Sequence, residues 1–430
     1  MLYCGGMASY PIIAYCLIGV AFVGIAAGRL PRLAMNRATI ALTSAILLIL
    51  AGGIRPEDAF KAIDTETVAL LLAMMILAAN LRISGFFHLA GARIISLAHS
   101  PRTLLAIIIL TSGLLSALFL NDTICIMLTP LVAEVARRSG RDGKPYLIGL
   151  ATAANAGSCA TAIGNPQNML IASQSGIPFL EFVAWLGPPS LLALGFCYLA
   201  TIAVFRKEFS KETSAAVTTA ALLAARSIEA SSSTPSMGFD RKLLVKSLIA
   251  AAILLTLLAF GMRTSVAALA AASFLMISRR IHPERVFAEV DFSLLVFFSG
   301  LFILTSAVAQ TPLFSRLMDL MLPYLIKPGA VFAGTIAFTS NLVSNVPAVM
   351  LLSPVARGFQ NSDTAWLMLA MASTFAGNLT LLGSVANLIV ADQGEKAGIR
   401  IGFFDYLKVG LPVTVASIAA GTAWLMMIRP

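Results

Sequence analysis

Long apolar stretches alternate with short polar segments along the whole chain. Ten of these stretches approach the roughly 20 residues that a helix needs to span a bilayer. They cover about residues 9–27, 38–54, 65–81, 146–175, 182–205, 243–260, 264–279, 291–309, 364–394 and 405–427. The pattern predicts an all-α membrane protein with ten transmembrane helices.

Two further apolar stretches, about 102–138 and 328–360, carry polar residues near their middle. Each could be one long bent helix or a re-entrant hairpin that enters and leaves on one side of the membrane. Polar backbone is tolerated at membrane depth only where it lines a cavity or is buried in protein. We therefore interpret both stretches as hairpins. Two shorter segments, 86–98 and 313–325, have the pattern of amphipathic helices at the membrane interface.

The two halves of the chain share residues at a nearly constant spacing of 219 to 227 positions. The matching pairs include Pro56/Pro283, Phe60/Phe287, Asp64/Asp291, Ser116/Ser340, Asn121/Asn345, Thr161/Thr380, Gly164/Gly383, Asn168/Asn387 and Pro189/Pro412. A duplicated half in a chain this apolar is typical of a secondary transporter.

Each half contains five predicted spans, an odd number, so the second half must be inverted relative to the first. We predict a first inverted repeat at residues 1–205, a cytoplasmic linker at 206–242 and a second inverted repeat at 243–430. Each repeat then has five transmembrane helices, one re-entrant hairpin and a helix broken at the membrane midplane. The linker contains the polar stretch Ser231–Pro235.

The composition excludes a soluble globular protein. Hydrophobic residues make up 58% of the chain and charged residues 12%, with a mean hydropathy of +0.89, whereas soluble domains carry about 25% charged residues. A net charge of +10 would suggest nucleic-acid binding in a soluble protein. Here the distribution of basic residues over the loops accounts for it, and no nucleic-acid partner is predicted.

The basic residues also orient the chain. With five spans and one hairpin per half, 23 of the 30 Lys and Arg residues fall on one face, which the positive-inside rule makes cytoplasmic. Both termini then lie outside, the first hairpin enters from the cytoplasm and the second from outside. Arg29, Arg32 and Arg37 follow the first apolar run. This is the reverse of a signal-peptide pattern, so we predict a spanning helix there.

Nothing in the sequence predicts an enzyme, a metal centre or a cofactor beyond a coupling ion. The five cysteines are odd in number and scattered, without CxxC or zinc-ligand spacing, and no HExxH or GxSxG motif is present. Cys125 and Cys159 flank the first candidate site, where packing is the simpler role. Asp64 and Asp291 are predicted to cap helices at an interface.

The two hairpin tips form the first pair of candidate binding segments. The polar residues there are Asn121, Asp122 and Thr123 in the first tip and Ser344 and Asn345 in the second. Such residues could be ordinary helix N-caps. Their duplication at predicted membrane depth favours a binding role. A carboxylate at the bilayer centre costs about 2.5–3.5 kcal/mol, so Asp122 is the strongest single candidate, for cation or proton coupling.

Two broken helices form the second pair of candidate segments. Gly, Pro and polar residues interrupt the apolar pattern, and the candidate ligands are Thr161, Gly164, Asn165 and Asn168 in the first repeat and Asn378, Thr380, Gly383, Ser384 and Asn387 in the second. Unwound carbonyls with Ser, Thr and Asn oxygens suit a small cation such as Na⁺, while half-helix N-termini suit an anion. Close helix packing through small residues is the structural alternative.

The segments Phe119–Pro130, Thr161–Asn168, Ser344–Pro347 and Ala376–Asn387 resemble the ion transporter superfamily. It includes the arsenite pump membrane subunit ArsB, the sodium/proton antiporter NhaD and the divalent-anion/sodium symporters. The resemblance covers nearly the whole chain. It implies a homodimer with a scaffold domain and a transport domain that moves as an elevator, and a soluble ATPase subunit if the chain is ArsB-like.

The hairpin tips depart from the symporter pattern, in which both tips read Ser-Asn-Thr and hold carboxylate and Na⁺ with the adjacent helix breaks. Here the first tip carries Asp122 and the second has Val346 in place of Thr. An added carboxylate beside an anion site is unfavourable unless a cation neutralises it.

The sequence thus predicts a secondary active ion transporter of the inner membrane, coupled to Na⁺ or H⁺. An arsenite or antimonite efflux permease and a sodium/proton antiporter are the alternatives within this class. A channel is the alternative outside it.

Overall fold

A computed structural model describes residues 12–27, 35–95, 97–210, 240–277, 282–321 and 329–428. The first half contains α1 (Ile12–Ala27), α2 (Arg37–Leu50), α3 (Pro56–Ala62), α4 (Thr65–Ile83), α5 (Phe86–Ile95), α6 (Pro101–Leu118), α7 (Asn121–Arg138), α8 (Lys144–Ser158), α9 (Pro166–Ser175), α10 (Phe179–Val204) and α11 (Arg206–Ser210). The second half contains α12 (Arg241–Ala259), α13 (Thr264–Met276), α14 (Pro283–Phe287), α15 (Phe292–Ala309), α16 (Pro312–Met321), α17 (Ala330–Val343), α18 (Asn345–Gly358), α19 (Ser362–Ala376), α20 (Val385–Lys396) and α21 (Phe403–Ile428). The predicted all-α class is confirmed.

Six of these helices are long and apolar enough to cross a membrane: α4, α6, α10, α12, α15 and α21. Among the described residues, three predicted spans, 9–27, 38–54 and 264–279, are shorter as helices. Helix α2 ends at Leu50 because Gly52 adopts a φ of 71° and the amide of Gly53 donates to the carbonyl of Leu48 at 2.9 Å. Lys246 ends α13 by donating to the carbonyl oxygens of Leu275 (2.9 Å) and Ile277 (2.7 Å).

The helices form two compact units. One contains Met1–Val68 and Asp291–Ile326, and the other contains Ala69–Val290 and Lys327–Pro430. In the first unit α2 packs against α15, closely enough that a Cβ atom on Gly300 would lie 2.7 Å from the backbone of Ala41. The second unit contains both hairpins and both broken helices. Each unit therefore takes helices from both predicted repeats.

The stretch 102–138 folds as a hairpin of α6 and α7. The α6 helix runs parallel to α8, because Leu105 contacts Gly149 and Gly113 contacts Gly157 further along both helices. The α7 helix begins beside Asn155, near the end of α8, and ends at Arg138, shortly before α8 begins. It therefore runs back along α6, and the alternative of one long bent helix is wrong.

The stretch 328–360 folds the same way, as a hairpin of α17 and α18. Its two open ends meet where the rings of Phe332 and Phe359 lie 5.0 Å apart, and its tip lies beside the end of α19, where Asn341 donates to the carbonyl of Ala376 at 3.1 Å. Residues 322–325 of the predicted interfacial segment lie outside the described residues, as does most of the linker, 211–239.

Polar contacts join loops that are distant in the sequence. The Nζ atom of Lys144 lies 3.4 Å from Oδ2 of Asp405, and Nη1 of Arg82 lies 2.9 Å from Oε2 of Glu289. The topology predicted from the positive-inside rule puts all four residues on the same face. Arg141 likewise bonds to the carbonyl oxygen of Glu208 at 3.1 Å, at the start of the linker. Burial raises the pKa of the Glu208 carboxyl, although Arg141 acts in the opposite direction.

Asp64 and Asp291 are helix caps, as predicted. The Asp64 carboxylate accepts the amide of Thr67 at 3.0 Å, and the Asp291 carboxylate accepts the amide of Leu294 at 3.1 Å. The two residues are 227 positions apart, so the duplicated pair begins α4 and α15 with the same hydrogen bond.

Replacing Asp291 with alanine should lower the free energy of unfolding by about 1 kcal/mol, because an amide of the first turn of α15 loses its acceptor. Asp291→Asn is the matched control, since an asparagine oxygen caps a helix equally well. Chemical unfolding of the purified protein in detergent measures both. An equal loss in the two variants would contradict the assignment of Asp291 as a cap.

Candidate functional site

The predicted break in the first repeat is present between α8 and α9. Helix α8 ends at Ser158, and α9 begins at Pro166 after Asn165, whose side chain accepts the amide of Asn168 at 2.9 Å. The side-chain amide of Asn168 donates back to the carbonyl oxygens of Ser158 (3.2 Å) and Thr161 (2.9 Å). Carbonyls at a helix C-terminus have no partner within the helix, so Asn168 stabilises the unwound segment.

The second repeat contains the same break, between α19 and α20. The side-chain amide of Asn387 donates to the carbonyl oxygens of Gly377 (2.8 Å) and Thr380 (3.1 Å). Asn387, Gly377 and Thr380 each follow their counterparts in the first break by 219 positions. The two hydrogen bonds from Asn168 to the Ser158 and Thr161 carbonyls thus recur at the equivalent positions of the second break.

The Asn155 side chain joins the first hairpin tip to the second break. Its side-chain oxygen accepts from the amide of Asn121 and the hydroxyl of Ser384, each at 3.0 Å. Its side-chain nitrogen donates to the oxygens of Asn378 (3.0 Å) and Asn387 (2.9 Å). Four predicted site residues therefore converge on one buried side chain of α8.

Thr374 holds the equivalent position in the second repeat, 219 residues after Asn155. Its hydroxyl accepts from the amides of Asn165 and Gln167, both at 3.3 Å, and donates to the oxygen of Asn168 at 3.4 Å. Each repeat therefore sends one polar side chain into the break of the other repeat.

The break in the first hairpin falls on Phe119 and Leu120, the two residues directly before the polar triplet that marks it in the sequence. Phe119 packs against the ring of Phe87, with centroids 5.7 Å apart, and Leu120 is the N-cap residue, without a side-chain cap bond. Asn121 is the first residue of α7, and its side-chain oxygen accepts the backbone amide of Asp122 at 3.0 Å.

Two hydrogen bonds join the first hairpin tip to the first helix break. The backbone amide of Asn121 donates to the carbonyl of Gly164 at 3.1 Å, and the hydroxyl of Thr161 donates to the carbonyl of Ala117 at 2.5 Å. Asp122 and Thr123 are half-buried at the start of α7. The tip thus brings one carboxylate to a group of otherwise neutral polar side chains.

The second tip is a single strained residue. Ser344 has φ 78° and ψ 159° and is the one non-glycine residue with positive φ among those the structure describes. Such conformations cost a non-glycine residue about 1–3 kcal/mol and occur mainly at functional sites. Ser344 is the N-cap residue of the returning helix α18 and makes no side-chain cap hydrogen bond.

Buried oxygens beside Ser344 have no hydrogen-bond partner within the protein. They are the Ser340 hydroxyl and the side-chain oxygens of Asn341 and Asn345. Ser340 is 1% exposed and Asn345 is 9% exposed. Buried polar atoms in proteins almost always have a partner. Three of the twelve buried side-chain atoms without one among the described residues lie together at this tip, so the tip is a candidate place for a bound ligand, ion or water. Among the described residues no cluster of His, Cys, Asp and Glu could hold a metal ion.

All fourteen predicted site residues lie in the unit that contains both hairpins, but their roles differ. Gly164 and Gly383 permit close backbone packing, and Thr380 contributes its carbonyl oxygen. The candidate ligands taken from the sequence leave out Asn155, Gln167, Asn341 and Thr374, although Asn155 and Thr374 begin the two interrupted segments. Asn155 and Thr374 show the same 219-residue spacing as Asn168 and Asn387, a signal that a search for identical residues alone overlooks.

The arrangement can bind a small ion. It combines unpaired neutral oxygens with the N-termini of α9 and α20, which carry partial positive charge. Oxygen ligands of this type suit a small cation, and helix N-termini suit an anion. Cys125 and Cys159 are fully buried, as expected for packing residues.

Replacing Ser344 with glycine should give a protein that is more stable than the Ser344→Ala variant by about 1 kcal/mol, because glycine adopts positive φ without steric cost. Thermal and chemical unfolding measure the difference. Ser299, within α15, is the matched control, because glycine in a helix interior is less stable than alanine by about 1 kcal/mol. The same order of stability at both positions would contradict strain at Ser344.

Comparison with known proteins places these features in a family. The profile of the CitMHS citrate transporter family matches residues 20–376. The chain is 32% identical to the silicon efflux transporter LSI3 of Oryza sativa, over 91% of this chain and 92% of that protein. It is 26% identical to a transporter named arsB from Dictyostelium discoideum, over 92% of this chain and 88% of that protein.

A solved structure shares the fold. MtrF of Neisseria gonorrhoeae, described as one of a class of antimetabolite efflux pumps, aligns with a TM-score of 0.56 at 13% sequence identity. The alignment covers 99% of this chain and 96% of MtrF. At this identity the likeness concerns the fold alone.

Proposed function

This chain belongs to the citrate transporter (CitMHS) family of membrane transporters, and we propose that it moves a small inorganic or organic anion by secondary active transport coupled to Na⁺ or H⁺. Substrate and coupling ion would bind between the two hairpin tips and the two helix breaks. The proposal includes an elevator-type movement, a homodimer and an inner-membrane location with both termini outside.

The observation that carries this proposal is the set of unpartnered oxygens at the second tip. Ser340, Asn341 and Asn345 present three oxygens without a hydrogen-bond partner within the protein, beside the carbonyl-rich second break. A cation bound there would satisfy them. It would also offset the negative charge that an anionic substrate brings to a buried site.

Asp122 supports coupling to a cation or proton at the first tip. It is half-buried, and a carboxylate at membrane depth usually faces a cavity and takes part in function. Asn121 and the neutral amides around Asn155 would then orient the substrate, and Asp122 would be neutralised by the coupling ion.

Efflux of a neutral metalloid acid such as arsenite is the second candidate function. Asp122 favours it, because a carboxylate repels an anion but not an uncharged substrate. The names of the rice and Dictyostelium relatives point in the same direction. A sodium/proton antiporter is the third candidate function. A soluble ATPase subunit would be a partner only for the efflux function.

A ligand panel on the purified full-length protein tests the proposal. Na⁺, Li⁺, citrate, succinate, sulfate and arsenite are added separately and in pairs, and the thermal unfolding midpoint is recorded. A ligand at 100 times its Kd stabilises the fold by about 2.7 kcal/mol. We expect an anion to stabilise the protein only in the presence of Na⁺ or at low pH, and to be taken up by proteoliposomes under the same gradient.

Two variants make the panel specific to the site. Asn345→Ala should lose the cation-dependent shift, whereas Gln310→Ala, which removes an exposed amide, should keep it. Stabilisation and transport by arsenite without a cation would favour the second candidate. An unchanged midpoint with every compound, together with no transport, would overturn the proposed function.

A further inference from the structure

Asn155 has no capacity left to bind a ligand. An amide oxygen accepts two hydrogen bonds and an amide nitrogen donates two, and Asn155 makes all four with protein partners at 2.9–3.0 Å. The side chain is 2% exposed. Any influence of Asn155 on the site must therefore act through the residues that it holds.

Those residues form a direct path from the first hairpin tip to the second helix break. The Asn121 amide donates to Asn155 at 3.0 Å, and the Asn155 amide donates to Asn387 at 2.9 Å. Asn387 in turn donates to the carbonyl oxygens of Gly377 (2.8 Å) and Thr380 (3.1 Å). Three side chains thus connect the tip that carries Asp122 with the unwound backbone of the other repeat.

The path is asymmetric although the repeats are related. Thr374 occupies the position equivalent to Asn155, but its three side-chain partners are Asn165, Gln167 and Asn168, all at the first break. Asn155 instead has one partner on a hairpin tip and three at or beside the second break. The side chain that extends the network to a tip therefore lies in the repeat whose tip contains the carboxylate.

We propose that Asn155 is a positioning residue that couples the first hairpin tip to the second helix break. A change at the tip, such as binding of the coupling ion, alters the hydrogen bond from Asn121. Asn155 then passes the change to Asn387 and to the carbonyls that Asn387 holds. The role in ion–substrate coupling rests on the proposed function, but the mechanical link can be tested without any substrate.

Hydrogen–deuterium exchange of the full-length protein in lipid nanodiscs measures the link. Asn121→Ala removes the bond at the tip, and the amides of residues 377–384 report on the second break. We expect Asn121→Ala to raise their exchange rates about tenfold in the wild-type background and less than about twofold in an Asn155→Ala background, since the path is then already broken.

Thr152→Val provides the matched control on the same helix. The Thr152 hydroxyl bonds to the carbonyls of Ile148 and Gly149 within α8. Valine keeps the Thr152 backbone carbonyl, which accepts the side-chain amide of Asn378 at 3.0 Å, so the substitution perturbs α8 without removing a bond to the second break. In this background Asn121→Ala should keep its full effect on residues 377–384. Asn155→Ser, whose shorter side chain cannot reach all four partners, replaces Asn155→Ala if that variant fails to fold.

Additive effects would overturn the proposal. If Asn121→Ala raises exchange at 377–384 equally with and without Asn155, or leaves these amides unchanged in the wild-type background, Asn155 is a structural residue only. A structural role predicts faster exchange along the whole of α8 and independent effects of the two substitutions. The ligand panel decides separately whether the proposed transport function holds.

Discussion

Replacing Gly164 with alanine should abolish transport and lower the free energy of unfolding by about 3 kcal/mol, the upper part of the usual range for overpacking. A Cβ atom at this position would clash with the carbonyl oxygen of Ser158. It would also lie 2.7 Å from the Ser158 Cα atom and 2.8 Å from the carbonyl oxygen of Ser116. These are backbone atoms of the first break and the first hairpin, which cannot move aside as a side chain can. Thermal unfolding and proteoliposome transport measure the two effects.

Gly187→Ala is the matched control for this prediction. Gly187 lies in α10, and a Cβ atom there would have open space within 4 Å. This variant should unfold at or above the wild-type midpoint, since alanine is the better helix former. If Gly164→Ala keeps wild-type stability, the close packing of the tip against the break is not as the structure describes.

Replacing Asp122 with asparagine should remove the dependence of transport on the coupling ion and lower the transport rate about tenfold, which corresponds to about 1.4 kcal/mol. Asparagine has nearly the same size as aspartate but cannot bind a proton or carry negative charge. The expected loss is therefore one of charge and not of packing. Initial rates in proteoliposomes, measured across imposed Na⁺ and pH gradients, report on this change.

Glu134→Gln tests whether any carboxylate on α7 would behave in this way. Glu134 lies at the other end of the helix and pairs with Arg137 and Arg138, where exposed ion pairs contribute little to stability. Its loss should leave the transport rate and the ion dependence unchanged. Normal transport by Asp122→Asn, with unchanged Na⁺ and pH dependence, would contradict the coupling role of Asp122.

Much of the site could be predicted because its residues break a strong pattern. Gly164, Pro166 and the polar residues around them interrupt an apolar helix, and the structure unwinds the chain between Ser158 and Pro166. The matching interruption near Asn378 predicted the second break. Duplication made both predictions firm, since one interruption alone could have been close helix packing.

The partners of these residues could not be predicted. Asn155 lies within α8, where a single amide in an apolar helix is compatible with many environments. Its importance comes from Asn121, Ser384 and Asn387, which are distant in sequence. The polar triplet Asn121–Thr123 was expected to precede the returning helix, but the break lies just before it, at Phe119 and Leu120. These two look like ordinary helix residues in the sequence, and only the structure shows Phe119 packed against Phe87.

By itself the sequence determined that this is a duplicated, membrane-embedded, all-helical chain with polar interruptions at matching places. Hydrophobic runs and repeated residues can be recognised directly from the order of residues, without knowing which segments contact each other. Only the tertiary structure decided which interruptions meet. It showed that Asn155 joins the first tip to the second break, that Ser344 carries the strain at the second tip, and that the oxygens beside it have no partner within the protein. Hydrogen bonds between the repeats depend on three-dimensional packing, and residue spacing alone does not specify them.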